Sequence, residues 1–468
     1  MINLFNSVSK SKQEFTAQNP VSIYTCGPTV YLDPHIGNWR TFIFYDTLVR
    51  TLKLSDHDVR HVINITDVGH LVSDGDTGDD KMSKTAAAQR KTAWEVADHY
   101  TKIFIDGMRD LNLLKPYKLP KATDHIPQQI EMIKDIEKAD YTYTIDDGVY
   151  FDTAKFKDYG SLAGGVKADA DFARINQNDE KRNLEDFALW KFSPKDEARD
   201  MEWESPWGTG FPGWHIECSA MAKAYLGNTI DIHAGGVDHI PVHHTNEIAQ
   251  SETANGVTFS DVWMHAEFMK VDGGKMSKSK NNFFTLQDVE DQGFTHLEFR
   301  FLILQGHYRT ETNFTWDNLQ NAANTLKNIR SAYDRIFITP SVISSQPQAA
   351  AIEESSTNFI SALNDDLNTP SALSALNAVA SLATTGEGLA ADNRQAFIEF
   401  FLQADKALGL KIVELASDIT DGQKQLIEQR EQAKADKNFD LSDKLRDQLL
   451  EQNIALLDNA AGTIWQRT

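Results

Sequence analysis

Apolar residues in the first part of the chain form short unbroken runs that alternate with helically spaced sets. Residues 21–26 make a β-branched and aromatic run, and residues 59–65 make a second one, so both are predicted to be buried strands. Apolar side chains recur at helical spacing over 36–54, and a further helix is predicted from about 84 to 112. Strand, helix, strand and helix in this order predict a doubly wound parallel sheet.

Residues from about 115 to 210 break this rhythm. Polar and apolar positions alternate over 140–154 in the manner of strands, and the stretch to 200 is charged and irregular. The rhythm then resumes with a helix near 214–226, a strand near 229–233, a helix beginning near His243, and one or two strands within 260–271. We therefore expect residues 115–210 to be an insertion between the two halves of one sheet.

From about residue 287 onward almost every periodic segment is helical. Residues 341–356 are rich in Ser, Gln, Pro and Ala and are interpreted as a linker. Amphipathic helices are predicted over 357–410 and a charged helical segment over 423–453, followed by an extended tail at 454–465. The pattern predicts an α/β region with an insertion, followed by an all-α C-terminal region.

Composition and charge narrow the class of protein. The 468 residues are 41% hydrophobic and 24% charged, which is typical of a globular chain of two to four domains. A net charge of −22 argues against a general nucleic-acid coat protein, although one folded RNA could still bind a local basic face. Neither a secretory signal nor a membrane-spanning run is visible, so we expect a cytoplasmic protein that binds no membrane and no DNA.

Residues 35–38, His-Ile-Gly-Asn, lie where the first predicted strand passes into the first helix. Free N–H groups and the helix dipole bind phosphates at such a junction. Gly37 allows close approach of a nucleotide, while His35 and Asn38 supply hydrogen-bond donors. Four residues are a weak signal, and taken alone they equally indicate a histidine that merely precedes a helix.

Residues 275–279, Lys-Met-Ser-Lys-Ser, follow a turn that contains two glycines. Lys275 and Lys278 could neutralise charge that develops on a triphosphate, although an isolated loop of this kind is more typical of a solvated basic turn. Residues 81–85 are nearly the same, Lys-Met-Ser-Lys-Thr, but follow the acidic run 74–80. Because a phosphate loop would not lie beside so many carboxylates, we interpret that copy as coincidence.

Two cysteines and a histidine–glutamate pair suggest a metal site. Cys26 and Cys218 are too few for a disulfide framework, and lone cysteines are usually small buried hydrophobic residues. His243 and Glu247 are four residues apart on one predicted helical face, a spacing that suits two ligands of one zinc but also occurs on plain helix surfaces. Together the four residues would form a Cys₂HisGlu site at the carboxyl edge of the sheet.

These motifs together resemble the class I aminoacyl-tRNA synthetases, and within them the cysteinyl-tRNA synthetase family. Residues 35–38 are similar to the "HIGH" motif of the class with Asn in last place, and residues 275–279 match its "KMSKS" motif letter for letter. The resemblance covers essentially the whole chain and also rests on residues 24–31, 64–67, 213–219, 233–247, 368–370 and 462–465. The chain departs from the family pattern at residues 68–70, Val-Gly-His, and at Thr245, where the family usually has Glu.

The resemblance implies a site and a reaction. One Zn²⁺ per chain would be held by Cys26, Cys218, His243 and Glu247 and would bind the thiolate of the cysteine substrate. Thr66, Trp214 and Asp238 are expected to form the walls of the cysteine pocket and to anchor its amino group. His35, Asn38, Lys275 and Lys278 would stabilise the transition state of adenylation, with ATP and Mg²⁺ bound near Gly37. The cysteinyl group would then pass to the terminal adenosine of cysteine tRNA.

The same resemblance assigns roles to segments of the chain. The expected segments are residues 1–114 for the first half of a Rossmann-type catalytic domain, 115–210 for an inserted connective segment, 211–286 for the second half with the zinc ligands and the KMSKS loop, 287–340 for a helical stem-contact region, 341–356 for a linker, and 357–468 for a helical anticodon-binding region with a C-terminal tail.

Two other functions stay open at this stage. A ligase of the mycothiol-synthesis type, which joins cysteine to an amino sugar, would use the same adenylation site and zinc without tRNA. The helical segment 400–468 favours the synthetase, because such ligases tend to lack this end. A non-catalytic RNA-binding relative would be expected to carry damaged motifs, and none is seen.

Overall fold

The computed structural model describes residues 1–16, 19–69, 81–164, 180–194, 199–276, 282–338, 340, 342–385, 388–459 and 462–467. These residues form two units. The first comprises Met1–His296 and Tyr308–Phe314, and the second comprises Leu297–His307 and Thr315–Thr468. None of the helices in the described part of the chain is long and apolar enough to cross a membrane.

The first unit contains most of the strands. Its elements in chain order are β1 (Asn3–Asn6), β2 (Ser11–Glu14), β3 (Val21–Thr25), α1 (Ile36–Leu54), β4 (Val59–Ile63), α2 (Lys81–Gln89), α3 (Ala93–Asp110), α4 (Ile126–Lys138), β5 (Thr142–Ile145), β6 (Gly148–Phe151), β7 (Phe187–Phe192), β8 (Gly210–Pro212), α5 (Trp214–Leu226), β9 (Ile230–Gly236), α6 (Thr245–Asn255), β10 (Ser260–Ala266), β11 (Met269–Val271), β12 (Gly274–Lys275), α7 (Leu286–Asp291) and β13 (Thr312–Phe314).

A parallel sheet with the order β10-β9-β3-β4 forms the core of this unit and confirms the predicted fold class. Its strands are almost entirely buried, as expected when helices cover both faces of a parallel sheet. Residues 117–122 extend the sheet beyond β4, since Ile63 N–H donates to Lys118 O and Ala122 N–H donates to Ile65 O. The first half of the sheet therefore continues past residue 114, where we had expected it to end.

The insertion folds as an antiparallel sheet with the order β5-β6-β7-β8. Its hairpin β5–β6 confirms the strand-like alternation predicted around residues 146–148. The sheet packs with α4 and α5 around a buried cluster that includes Ile133, Phe151 and Trp190. It ends at Pro212, directly before α5, so the insertion leads straight into the helix that carries Cys218.

The second unit is mainly helical. Its elements are α8 (His296–Leu304, of which His296 belongs to the first unit), α9 (Trp316–Tyr333), α10 (Gln346–Asn364), α11 (Thr369–Thr384), α12 (Arg394–Leu408), α13 (Ile412–Leu415), α14 (Asp421–Ala435), α15 (Phe439–Leu450), β14 (Ile454–Asn459) and β15 (Gly462–Arg467). The predicted extended tail is the antiparallel hairpin β14–β15, which packs on its own small core around Trp465.

Three segment predictions are wrong in part. The expected linker 341–356 is helical from Gln346 onward, because Pro347 occupies the first turn of α10, where proline is tolerated. The region 287–340 is not all helical, since β13 pairs in parallel with β11 and belongs to the first unit. The helix predicted from 84 to 112 is two helices, because Arg90 adopts a positive φ of 56° and Thr92 caps α3.

Candidate active site

The order in which the chain adds strands to the parallel sheet reverses between β3 and β9. From β3 the chain passes through α1 to β4 on one side, whereas from β9 it passes through α6 to β10 on the other. Open α/β sheets bind their ligands in the crevice that such a reversal leaves at the carboxyl ends of the strands. Cys26 directly follows β3, and Asp238 and His243 follow β9, so these predicted site residues lie at this crevice.

The first turn of α1 is held by its own side chains. His35 is the residue before the helix, and its Nδ1 accepts a hydrogen bond from the N–H of Asn38 at 3.1 Å. Asn38 Oδ1 in turn accepts from the N–H of His35 at 3.0 Å. The Asn in the last place of the motif thus completes a capping box, which fixes both side chains where the helix N-terminus opens.

The two catalytic motifs meet at Gly37. A Cβ atom on Gly37 would lie 2.4 Å from Cε of Met276, so a side chain at this position would displace the end of Met276. Lys275 pairs with Lys270 in the β11–β12 hairpin, directly before Met276. Lys278 lies outside the described residues, and its contact with substrate stays a prediction.

The four predicted metal ligands come together. The ligand atoms of Cys26, Cys218, His243 and Glu247 all lie within 4.8 Å of one another, and all four residues are buried. His243 Nε2 lies 2.9 Å from Glu247 Oε1, as their spacing along the helix predicted. Two thiols, one imidazole and one carboxylate at these separations fit the donor set and the tetrahedral size of a zinc site.

The turn that presents His243 has an unusual backbone. Residues 240–244 form one π-helical turn, which leads into α6 and buries both His243 and His244. Such turns are rare and are often found at functional sites. Thr245 Oγ1 donates to Ile240 O at 2.7 Å, so its hydroxyl satisfies a carbonyl of this turn. The departure from the family pattern at Thr245 thus has a structural role in the turn itself.

A second set of ligand atoms shares two of these residues. Cys26, His233, His244 and Glu247 also lie within 4.8 Å of one another. His233 Nε2 lies 2.8 Å from Glu247 Oε2, and His244 Nε2 lies 3.3 Å from Cys26 Sγ. The sequence analysis missed both histidines, although His233 near the end of a predicted strand and the doublet 243–244 were visible signals. Their ring nitrogens contact the carboxylate of Glu247 and the sulfur of Cys26, and contacts of this kind are typical of outer partners of metal ligands.

Burial and neighbouring charges shift the pKa values of this cluster in opposite directions. Burial by itself would lower the pKa of His243, but Glu247 and Cys218 raise it to about 10. Burial opposes ionisation of Glu247 too, yet His233 and His243 bring its pKa well below the usual range. Burial raises the pKa of the Cys26 thiol, whereas a hydrogen bond from Cys26 lowers the pKa of Cys218. These shifts favour an anionic Glu247 and ionisation of Cys218 before Cys26, whereas His243 must lose its proton before its ring can bind a cation.

One cavity of about 350 Å³ joins these features. Of the predicted site residues, its wall includes Cys26, His35, Asn38, Thr66, Trp214, Cys218, Asp238 and His243. The ring of Trp214 lies 4.8 Å from that of His243, so the proposed wall of the cysteine pocket adjoins the metal cluster. Glu247 lies behind this wall and is fully buried.

Comparisons with known proteins show the family to which the chain is similar. The family model described as the tRNA synthetases class I (C) catalytic domain matches residues 12–324, and a DALR domain model matches residues 358–412. The cysteine–tRNA ligase of Treponema denticola is 41% identical over 500 residues, which cover 100% of this chain and 99% of that protein. Cysteine–tRNA ligase 1 of Burkholderia lata is 41% identical over 98% of this chain and 95% of its own length.

The chain belongs to the cysteinyl-tRNA synthetase family. Among solved structures, the methionyl-tRNA synthetase of Mycobacterium tuberculosis bound to methionyl-adenylate is similar, with a TM-score of 0.60 and 15% identity over 85% of this chain and 94% of that one. A putative arginyl-tRNA synthetase of Campylobacter jejuni has a TM-score of 0.54 at 14% identity, covering 85% of this chain and 93% of that one. These structures show the class I synthetase fold that the family shares.

Asn64 links the predicted metal ligand Cys26 to Thr66, which is predicted to line the substrate pocket. Its Oδ1 accepts from the N–H of Gly27 at 2.8 Å, and its Nδ2 donates to Thr66 Oγ1 at 2.9 Å. A Cβ atom on Gly27 would lie 1.6 Å from the carbonyl oxygen of Asn64, so the turn after Cys26 requires glycine. Asn64 itself is 1% exposed, and the sequence analysis gave it no role.

Replacing Asn64 by alanine is expected to raise the KM for cysteine and to weaken metal binding, each by ~10-fold, because the turn after Cys26 and the Thr66 hydroxyl both lose their partner. The KM for ATP should change little. The measurement is cysteine-dependent ATP–pyrophosphate exchange together with metal affinity.

Asn6→Ala is the matched control, since Asn6 is also buried and hydrogen-bonded but lies on β1. If Asn64→Ala raised the KM values for cysteine and ATP equally, Asn64 would support the site only generally.

Proposed function

We propose that this protein activates L-cysteine with ATP, forms cysteinyl-adenylate, and transfers the cysteinyl group to the 3′-terminal adenosine of cysteine tRNA. The observation that carries the proposal is the shared cavity, in which the Cys₂HisGlu cluster opens beside the first turn of α1. The predicted thiol-binding residues and the phosphate-binding end of α1 thereby lie in one cavity, where cysteine and ATP could react with each other.

Cys26, Cys218, His243 and Glu247 are the residues proposed to hold one Zn²⁺ per chain. When bound, the metal would bind the cysteine thiol as thiolate and lower its pKa. His233 and His244 would keep Glu247 and Cys26 oriented. Trp214 closes the adjoining wall, and Asp238 lies at the cavity with a carboxylate that could anchor the substrate's amino group.

His35 and Asn38 are proposed to bind the phosphates of ATP. Because Nδ1 of His35 accepts a hydrogen bond from Asn38, a neutral His35 carries its proton on Nε2 and can donate from there to a phosphate oxygen. Burial lowers the pKa of His35, which favours this neutral form. The Nδ2 group of Asn38 supplies a further donor, since its Oδ1 is used in the cap.

Lys275 and Lys278 are proposed to neutralise the charge that develops as pyrophosphate leaves, with Mg²⁺ accompanying ATP. The cysteine carboxylate attacks the α-phosphate and releases pyrophosphate; the 2′-hydroxyl of the tRNA then attacks the carbonyl of the adenylate, loses its proton and releases AMP. Neither step needs a protein nucleophile, so catalysis rests on positioning and charge stabilisation. An enzyme of this function would act in the cytoplasm, where tRNA is charged.

The deciding experiment is ATP–pyrophosphate exchange with each of the twenty amino acids, followed by charging of purified cysteine tRNA. We expect exchange with cysteine and charging of that tRNA. Exchange without charging would revive the amino-sugar ligase. That alternative is not favoured, because relatives named cysteine–tRNA ligase match over 98–100% of the chain.

The C-terminal part of the second unit is proposed to hold the anticodon. Residues after α13 form a small core in which Ile419, Leu449 and Trp465 pack together, and Phe337 and Ile338 from the end of the region before α10 pack against it. Removing residues 417–468 should therefore leave cysteine-dependent exchange within a few-fold of the parent and raise the KM for tRNA by ~10-fold or more.

The control for this truncation is the exchange reaction itself, measured beside thermal unfolding. A folded truncation without exchange would show that these residues support the active site, whereas an unchanged KM for tRNA would show that they do not bind it.

A further inference from the structure

A lysine from the insertion lies in the wall of the catalytic cavity. Lys191 belongs to β7, where it pairs with Gly148 of β6 and Phe211 of β8. Its side chain is 10% exposed, and it lines the same cavity as Cys26, His35 and Trp214. No role was predicted for it from the sequence, because it lies in a stretch that was interpreted as charged and irregular.

The ammonium of Lys191 has two partners among the described residues. Nζ lies 2.6 Å from Asp147 Oδ2 and donates to Tyr150 Oη at 3.0 Å. An ammonium carries three N–H donors, so these two partners leave one of them for a ligand. Asp147 is 38% exposed at its side chain, which makes it a partner that water or a stronger anion can replace.

Asp147 already compensates the charge of Lys191, and a stronger anion that enters the cavity would compete for the ammonium. The ligands of the proposed reaction offer two anionic groups for this place. One is the phosphate of ATP or of the adenylate, and the other is the sugar–phosphate backbone at the 3′ end of the tRNA. Donors for the first already lie at residues 35–38, on α1, whereas Lys191 belongs to the separate sheet of the insertion.

We propose that Lys191 binds a backbone phosphate at the 3′ end of the tRNA during transfer, and that Asp147 competes with this phosphate for the ammonium. The inference rests on the proposed function and adds a binding residue for its second substrate. Lys191 acts on transfer and leaves adenylate formation to the other motifs. Charge-assisted hydrogen bonds to phosphate are strong enough to displace a half-exposed ion-pair partner.

The test uses the full-length protein and separates the two half-reactions. Lys191→Gln should leave cysteine-dependent exchange within about threefold of the parent and slow single-turnover transfer from preformed adenylate at limiting tRNA by ~10-fold or more. Lys191→Arg, which keeps the charge, should restore most of the transfer rate. A plot of log affinity for tRNA against log salt should lose ~0.7 from its slope in Lys191→Gln, the value for one phosphate contact on a single strand.

Asp147→Asn is the second arm and should act in the opposite direction, because it removes the competing anion. Affinity for tRNA should rise in this variant, and an unchanged affinity would show that Asp147 does not compete for the ammonium. If Lys191→Gln and Asp147→Asn both weakened tRNA binding, the pair would be a structural ion pair and the proposal would be wrong. Equal losses of exchange and transfer in Lys191→Gln would assign the lysine to the adenylate, and an unchanged salt slope would also overturn the proposal.

Failure of the proposed function is distinguishable from failure of this inference. In the former case the parent protein would not charge cysteine tRNA. In the latter the parent would charge it, and Lys191→Gln would do so with the parent's salt dependence.

Discussion

Replacing Cys26 by serine, or His243 by alanine, should remove bound zinc and cysteine affinity together and leave ATP affinity within a few-fold of the parent. The reason is that both residues contribute ligand atoms to the cluster, whereas the donors for phosphate lie on α1. Losing one of four ligands leaves the others without the closed set that a structural or substrate-binding zinc needs. Metal content measured beside cysteine and ATP affinity checks this.

The same site should reject serine by well over 10⁴-fold in kcat/KM for exchange. Shape alone separates near-isosteres in an apolar pocket by only ~10²-fold. A thiolate forms near neutral pH and is a strong zinc ligand, whereas a neutral hydroxyl is a weak one. Selection by the metal therefore needs no separate hydrolytic domain.

His61→Gln is a suitable control for these variants. His61 is also a buried histidine, but it bonds to Thr25 Oγ1 at 2.9 Å and belongs to neither set of ligand atoms. It should keep both zinc and cysteine. A zinc-free Cys26→Ser protein that still bound cysteine tightly and rejected serine would refute selection by the metal.

Lys278→Ala should slow adenylate formation by ~10²-fold or more with little change in the KM for cysteine. The structure supports this choice through Gly37, which contacts Met276 two residues before Lys278. The developing charge on the leaving pyrophosphate would lie at this meeting of the two motifs. The measurement is the rate of cysteine-dependent exchange at saturating ATP.

Lys84→Ala is the matched control, because Lys84 belongs to the near-identical run that forms the start of α2. It should stay within a few-fold of the parent. If the two variants lost activity equally, the assignment of the catalytic loop to residues 275–279 would be mistaken.

Local patterns in the sequence determined those parts of the site that lie within one turn of helix. His35 and Asn38 are three residues apart and meet in a capping box, and His243 and Glu247 are four apart and meet at 2.9 Å. Helical geometry alone brings such pairs together. The alternation of strands and helices likewise determined the parallel sheet, because each buried strand carries its own apolar run.

Family resemblance was needed to join Cys26 with Cys218 and with the pair on α6. Nothing local relates the two cysteines, which are 192 positions apart. Their meeting depends on the insertion ending at Pro212, where α5 begins, and on β9 lying beside β3. The order of the motifs along the chain suggests these four ligands, but the order of the strands in the sheet is what brings them together.

Only the tertiary structure decided the remaining parts. β13 is three residues long, too short for a periodic signal, and its partner β11 lies about 40 residues earlier in the chain. Lys191 lies in a stretch that the sequence pattern leaves irregular, and only its strand neighbours Gly148 and Phe211 place it in the cavity wall. His233 and Asn64 acquire their roles in the same way, through partners on other elements. Periodicity describes how each segment divides between core and solvent, whereas these contacts depend on which segments become neighbours, and that is set by the packing of the whole fold.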